Sequence, residues 1–89
     1  MVREKRREDR RQGSGNVQIR FADPSPLRIE GRLVDVSASG FRMAHQFRSL
    51  ASGQLVEFSH IEARGHARVV WNRIIEDRVE TGFLIIDAR

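Results

Sequence analysis

The sequence predicts an all-β fold, an antiparallel barrel or sandwich of six short strands behind a flexible basic arm. Three observations predict it. Apolar and polar residues alternate with period two from Val17 onward, turn-forming residues recur at roughly even spacing, and none of the 89 residues belong to a strong amphipathic helix. A barrel has the further merit of hiding strand edges that six short strands would otherwise expose.

The elements follow in chain order. Residues 1–11 hold six of the sixteen basic side chains and three of the twelve acidic ones, so the positive charge sits in an arm while the remaining body is close to neutral. Few apolar groups are available there to offset the cost of ordering, and disorder until an anion binds is expected. Gln12-Gly13-Ser14-Gly15 reads as a flexible hinge. These boundaries give an arm and hinge over 1–15 and a barrel domain over 16–89. Val17, Ile19 and Phe21 mark the first strand, and Asp23-Pro24-Ser25-Pro26 a turn. Leu27, Ile29 and residues 33–36 form a second strand, with Gly31 as a bulge or bend. Ser37-Ala38-Ser39-Gly40 is a tight loop and residues 41–45 a third strand. Residues 46–53 are expected to hold a helical turn. Strands follow over 54–60 and 63–71, the latter interrupted by Gly65. A polar hairpin loop spans 73–78 before the last strand, 79–86.

Composition narrows the function. Cysteine is absent, which excludes disulfides and thiolate metal sites. The amino-terminal stretch has charge without an apolar run, and no segment has the apolar length to cross a bilayer, so a cytoplasmic protein without membrane insertion is expected. His45, His60 and His66 lack metal-ligand spacing, His60 and Glu62 have no nucleophile or third ligand beside them, and Trp71 reads as core or rim. Neither a phosphate-binding glycine loop nor a nucleophile elbow is present. No catalytic activity and no cofactor are expected.

Two clusters carry chemistry. In the arm, Arg6 and Arg10 are four residues apart, as are Arg7 and Arg11. Fifteen of the sixteen basic residues are arginine, whose planar fork suits phosphates and the edge of guanine. The second cluster is Asp35-Val36-Ser37-Ala38-Ser39-Gly40, a loop offering an acceptor, a hydroxyl and a glycine that permits close backbone approach. Each alone is equally compatible with a solvated tail or an ordinary turn.

Together, Arg6-Arg7-Glu8-Asp9-Arg10 and Asp35-Val36-Ser37-Ala38-Ser39-Gly40 resemble the paired signatures of the PilZ family, Arg-x-x-x-Arg followed by Asp/Asn-x-Ser-x-x-Gly. Residues 67–71 and 81–85 resemble that family's last strand pair. The resemblance implies a six-stranded, Greek-key-like antiparallel β-barrel that binds the second messenger cyclic di-GMP. Arg6 and Arg10 would hold phosphates and the N7/O6 edge of one guanine, and Arg7 would stack on a base or touch a phosphate. Asp35 would accept from N1 and N2 of the other guanine, with Ser37 and Gly40 completing the pocket. Binding would order the arm over the barrel and signal to an unidentified protein partner. A register using Arg7 and Arg11 also fits the spacing, and the arm lacks the apolar or proline residues that often follow the second arginine in the family. The alternative is a small basic β-barrel that binds single-stranded nucleic acid through arginines and stacked aromatics. Absence of Tyr, a near-neutral body and Phe at core-like alternating positions make nucleic acid the weaker expectation.

Overall fold

The computed structural model describes residues 9–23 and 25–89. Period-two patterning becomes seven strands: β1 (Arg11–Gln12), β2 (Asn16–Phe21), β3 (Leu27–Val36), β4 (Gly40–His45), β5 (Leu55–Ser59), β6 (Arg64–Ile75) and β7 (Arg78–Ala88). Six of them close on themselves. β3 pairs with β2 on one side and β4 on the other, and the circuit runs on through β5, β6 and β7, antiparallel throughout. The short β1 adds to the far end of β3, pairing Arg11 with Val36 and Gln12 with Asp35.

Inward-facing positions of the six strands fill the barrel. Val17 and Ile19 of β2, Ile29, Leu33 and Val36 of β3, and Phe41 and Met43 of β4 are buried together with Val56, Phe58, Ala67, Val69 and Phe83. Phe41 lies at the centre, stacked on Phe83 at 4.7 Å between ring centroids and tilted against Phe58 at 4.9 Å. Such aromatic contacts add about 0.5–1.5 kcal/mol each beyond the area they bury.

Several sequence expectations need correction. Gly31 is not the bulge. It pairs in continuous register with Val17, and a Cβ there would lie 2.2 Å from the carbonyl oxygen of Ala44, so the glycine serves close approach of β4. The register shift in β3 falls between Leu33 and Asp35 instead. Residues 46–53 hold no helical turn, because side chains and neighbouring strands take the backbone groups a helix would use. Phe47 N–H donates to His45 Nδ1, Ala51 N–H to Gln54 Oε1, and Gly53 N–H to the carbonyl of Val69. The 73–78 loop is shorter than expected: β6 and β7 pair as far as Ile75 and Arg78, leaving Glu76 and Asp77 as a two-residue turn with Glu76 at φ 57°. Gly13 and Gly15, expected as a hinge, are tied to β3. Gly13 N–H donates to Val34 O, and Leu33 N–H donates to Gly15 O, each at 2.9 Å.

One buried polar chain fastens the 46–53 loop to the barrel. Because a backbone amide donates to Nδ1 of His45, the ring proton is assigned to Nε2, which donates to Thr81 Oγ1 at 2.7 Å. Thr81 then donates to Asn72 Oδ1 at 2.7 Å, and Asn72 Nδ2 donates to the Leu50 carbonyl at 2.8 Å. Burial holds the pKa of His45 below its ordinary value. Burial lowers that of His60 as well, against a smaller upward pull from Glu62. With folded-state values below the unfolded ones, these histidines stabilise the fold fully above pH about 6.5 and progressively less as the pH falls towards their lowered values. Urea unfolding between pH 7.5 and pH 5 is therefore expected to show a falling midpoint, and His45→Gln to flatten that fall. An unchanged midpoint would contradict the assignment.

Candidate functional site

The site begins with the strand register. Leu33 and Met43 are opposed in the core, as are Val36 and Phe41, while Asp35 is opposed to Arg42. Ordinary alternation from Leu33 would carry Asp35 inward. The extra residue at the register shift changes the phase, so Asp35 and Arg42 share the outer face. Ser37 and Gly40 then close the β3–β4 loop: Ser37 N–H donates to Gly40 O at 2.8 Å, and the Ser37 hydroxyl also points to that carbonyl at 3.4 Å.

Arg10, just before β1, reaches this corner. Its Nε lies 3.3 Å and its Nη2 3.2 Å from Asp35 Oδ1, and its Nη1 donates to Ser37 Oγ at 3.3 Å. Arg42 covers the same carboxylate more completely. Its Nε lies 3.0 Å from Oδ1 and 2.9 Å from Oδ2, and its Nη2 forms a close ion pair with Oδ2. Burial pushes the Asp35 carboxyl upward, but the hydrogen bonds and charges of Arg42 and Arg10 outweigh it and hold its pKa below the ordinary carboxylate value. Asp35 in turn raises the pKa of Arg42. Glu80 adds a smaller pull on Arg42, so the cluster is one carboxylate held directly by two guanidinium groups, with a second carboxylate farther off.

Beside it lies a shallow depression of about 340 Å³, bordered by Arg10, Ser39, Gly40 and Arg42 and floored by Trp71 and Leu84. Here a cationic rim meets an apolar floor. A larger hollow of about 600 Å³ lies between the ends of β2 and β5, but its Arg20 and Glu57 are paired with each other at 2.8 Å. The chemistry therefore concentrates at the smaller depression.

Of the residues singled out in the sequence, Arg10, Asp35, Ser37 and Gly40 come together. Arg6 and Arg7 lie outside the described residues. Arg11 turns elsewhere, forking onto Glu62 of the β5–β6 connection at 2.8 and 3.0 Å, so the carboxylate is met by Arg10 and not by its neighbour. The glycine at position 40 has a sufficient cause in the barrel, since a Cβ there would lie 2.2 Å from the carbonyl oxygen of Phe83 on β7. Sequence reasoning missed Arg42, and it weighed Glu62 only beside His60, not as the partner of Arg11. Arg42 had one readable signal, its place two residues beyond the closing glycine of a hairpin whose first strand carries Asp35 next to its end. No local signal joined Glu62 to Arg11.

No protein-family model matches this chain, and no curated protein matches it by sequence. Among solved structures, its fold is similar to that of YcgR from Escherichia coli in complex with c-di-GMP. The TM-score is 0.66 at 15% identity, over 94% of this chain and 39% of that one. The likeness is one of fold, an antiparallel β-barrel, and this chain spans less than half of YcgR's length.

The same geometry predicts how far the free fold relies on Asp35. The side chains of Arg10 and Arg42 keep 44% and 31% of their exposure, so removing the carboxylate strands neither cation in an apolar interior. Asp35→Ala is expected to lower unfolding stability at pH 7 by less than about 2 kcal/mol. Because the folded pKa is depressed, this contribution is present above the unfolded value of 3.8 and is lost as the pH falls below it. Chemical denaturation at pH 7 and pH 3 checks both statements, and a larger loss at pH 7 would make the cluster chiefly a structural device.

Proposed function

We propose that this chain is a receptor domain for cyclic di-GMP, a ligand-binding and not a catalytic module. The observation that carries the proposal is Arg10, at the rim of the depression, joining Asp35 and Ser37 through one guanidinium group, on a barrel similar to one solved with that ligand. A cyclic dinucleotide presents two phosphates and two purine edges, and the corner offers matching chemistry. Arg10, with Arg6 from the arm, would hold phosphates and the N7/O6 edge of a guanine, the fork-to-guanine pairing by which arginine reads G in DNA. Arg7 would stack on a base or add a phosphate contact. Asp35 would accept from N1 and N2 of the other guanine, donors that adenine lacks in that arrangement. Ser37 and the backbone at Gly40 would complete this pocket.

Binding would draw the arginine arm across the barrel, and the altered surface would then be read by a protein partner. Ordering backbone costs about 1–2 kcal/mol per residue, whereas hydrogen bonds to charged groups return about 1.5–3 kcal/mol each, enough for a short clamp. Since Arg11 and Gln12 pair with β3, the change would be confined to residues before Arg11.

Calorimetric titration with cyclic di-GMP and cyclic di-AMP tests the ligand. Binding of the first is expected, with strong discrimination against the second, because a site built to pair polar groups rejects an analogue that leaves them unpaired. Equal affinity for the two would overturn the guanine-reading role of Asp35. Amide hydrogen exchange tests the arm: protection is expected to rise before Arg11 and across the 35–40 loop on ligand addition. Arg10→Ala is expected to abolish the rise in the arm, and full protection there without ligand would refute the ordering step.

A further inference from the structure

The donors gathered on Asp35 raise a difficulty that points to a second property of the site. A guanine edge presents N1–H and N2–H, two parallel donors on nitrogens that share one carbon. Reading that edge takes both oxygens of one carboxylate. In this protein Arg42 already holds both oxygens in a bidentate geometry. Arg42 lays its Nε against Oδ1 and Oδ2 and its Nη2 against Oδ2, again two donors on nitrogens that share one carbon. The guanidinium fork and the N1–C2–N2 edge of guanine are the same pattern of atoms, and a carboxylate accepts either in the same bidentate manner. Arg10, by contrast, reaches Oδ1 alone, at 3.2 and 3.3 Å. Even if Arg10 left for the ligand's phosphates, Arg42 would still cover both oxygens.

Granted the receptor function proposed above, we infer that Arg42 is an intramolecular competitor for guanine, occupying the guanine-reading edge of Asp35 until the ligand displaces it. Three features fit this exchange. The cross-strand register places Arg42 directly opposite Asp35, so the fork closes without the arm and is present whatever the arm does. The Arg42 side chain is 31% exposed and borders the 340 Å³ depression, so it has room to swing away from the carboxylate. Once there, it remains beside an anionic ligand, so the cation lost to Asp35 is not lost to the site. Arg42 would thereby set the ligand concentration at which the domain responds, and would exclude ligands unable to offer a competing pair of donors.

The test is calorimetric titration of the wild-type chain, Arg42→Met, Arg42→Lys and Asp35→Ala with cyclic di-GMP and cyclic di-AMP. Removing a cation from an anion-binding site ordinarily weakens binding. Relief of competition does the opposite, so the sign of the change discriminates. Arg42→Met is expected to tighten cyclic di-GMP binding about three- to tenfold, equivalent to about 0.7–1.4 kcal/mol, without tightening cyclic di-AMP. Arg42→Lys keeps the charge but offers a point donor in place of the fork, and should fall between Arg42→Met and wild type. If wild type binds and Asp35→Ala weakens binding, while Arg42→Met binds no tighter than wild type, Arg42 merely positions Asp35. The competitor role then fails and the receptor function stands. If neither wild type nor Arg42→Met binds cyclic di-GMP, both fail together. Should Arg42→Met not fold, Arg42→Lys decides alone: tighter binding than wild type supports competition, and equal or weaker binding overturns it.

Discussion

Barrel closure along β3 is the constraint on which the rest of the structure depends. This strand pairs with β2 through its first half, with β4 along its second, and with β1 at its end. Serving neighbours on both sides while curving requires a local break in register, and it falls between Leu33 and Asp35. The break has two consequences at once. It returns Val36 to the core beside Phe41, and it moves Asp35 to the outer face opposite Arg42. The carboxylate at the centre of the candidate site is thus placed by the same irregularity that lets the barrel close.

Two of the polar networks differ in kind. At the loop end of β3, charge dominates: a buried carboxylate is held by two arginines that remain in contact with water. Where β4 meets the 46–53 loop, neutrality dominates, and His45, Thr81 and Asn72 form a chain that works only while the imidazole is uncharged. The first network has partners that can be exchanged, because each arginine can return to solvent. The second has none to spare, because every donor in it is matched to a single acceptor. Exchangeable partners suit a binding corner, and matched ones suit the scaffold that holds it.

The arm is also divided. Arg10 and Arg11 are neighbours in sequence, yet one meets Asp35 and Ser37 while the other forks onto Glu62. Neighbouring side chains on an extended backbone point to opposite sides, so Arg10, just before β1, and Arg11, in it, reach different parts of the barrel. Beyond Arg10 the chain is anchored, because Arg11 and Gln12 are paired with β3.

The sequence by itself determined the strand class and most strand positions, because alternation at Val17, Ile19 and Phe21 and the turn residues at 23–26 and 37–40 are local signals that need no partner. It also singled out Asp35, Ser37 and Arg10 as candidates, since each belongs to a short motif, and the fold brings these three together. Only the tertiary structure decided the bulge at 33–35, the loop course of 46–53 and the roles of Arg42 and Glu62. A bulge arises from the conflict between two neighbouring ladders, and Gly31 looked like its seat only because the backbone of β4, against which it packs, is invisible in sequence. The 46–53 segment has helix-compatible residues, but its backbone groups are taken by His45, Gln54 and Val69, which lie outside it. Arg42 and Glu62 gain meaning from cross-strand register and from the arm's path, long-range properties fixed by closure and not by any residue's neighbours in the chain.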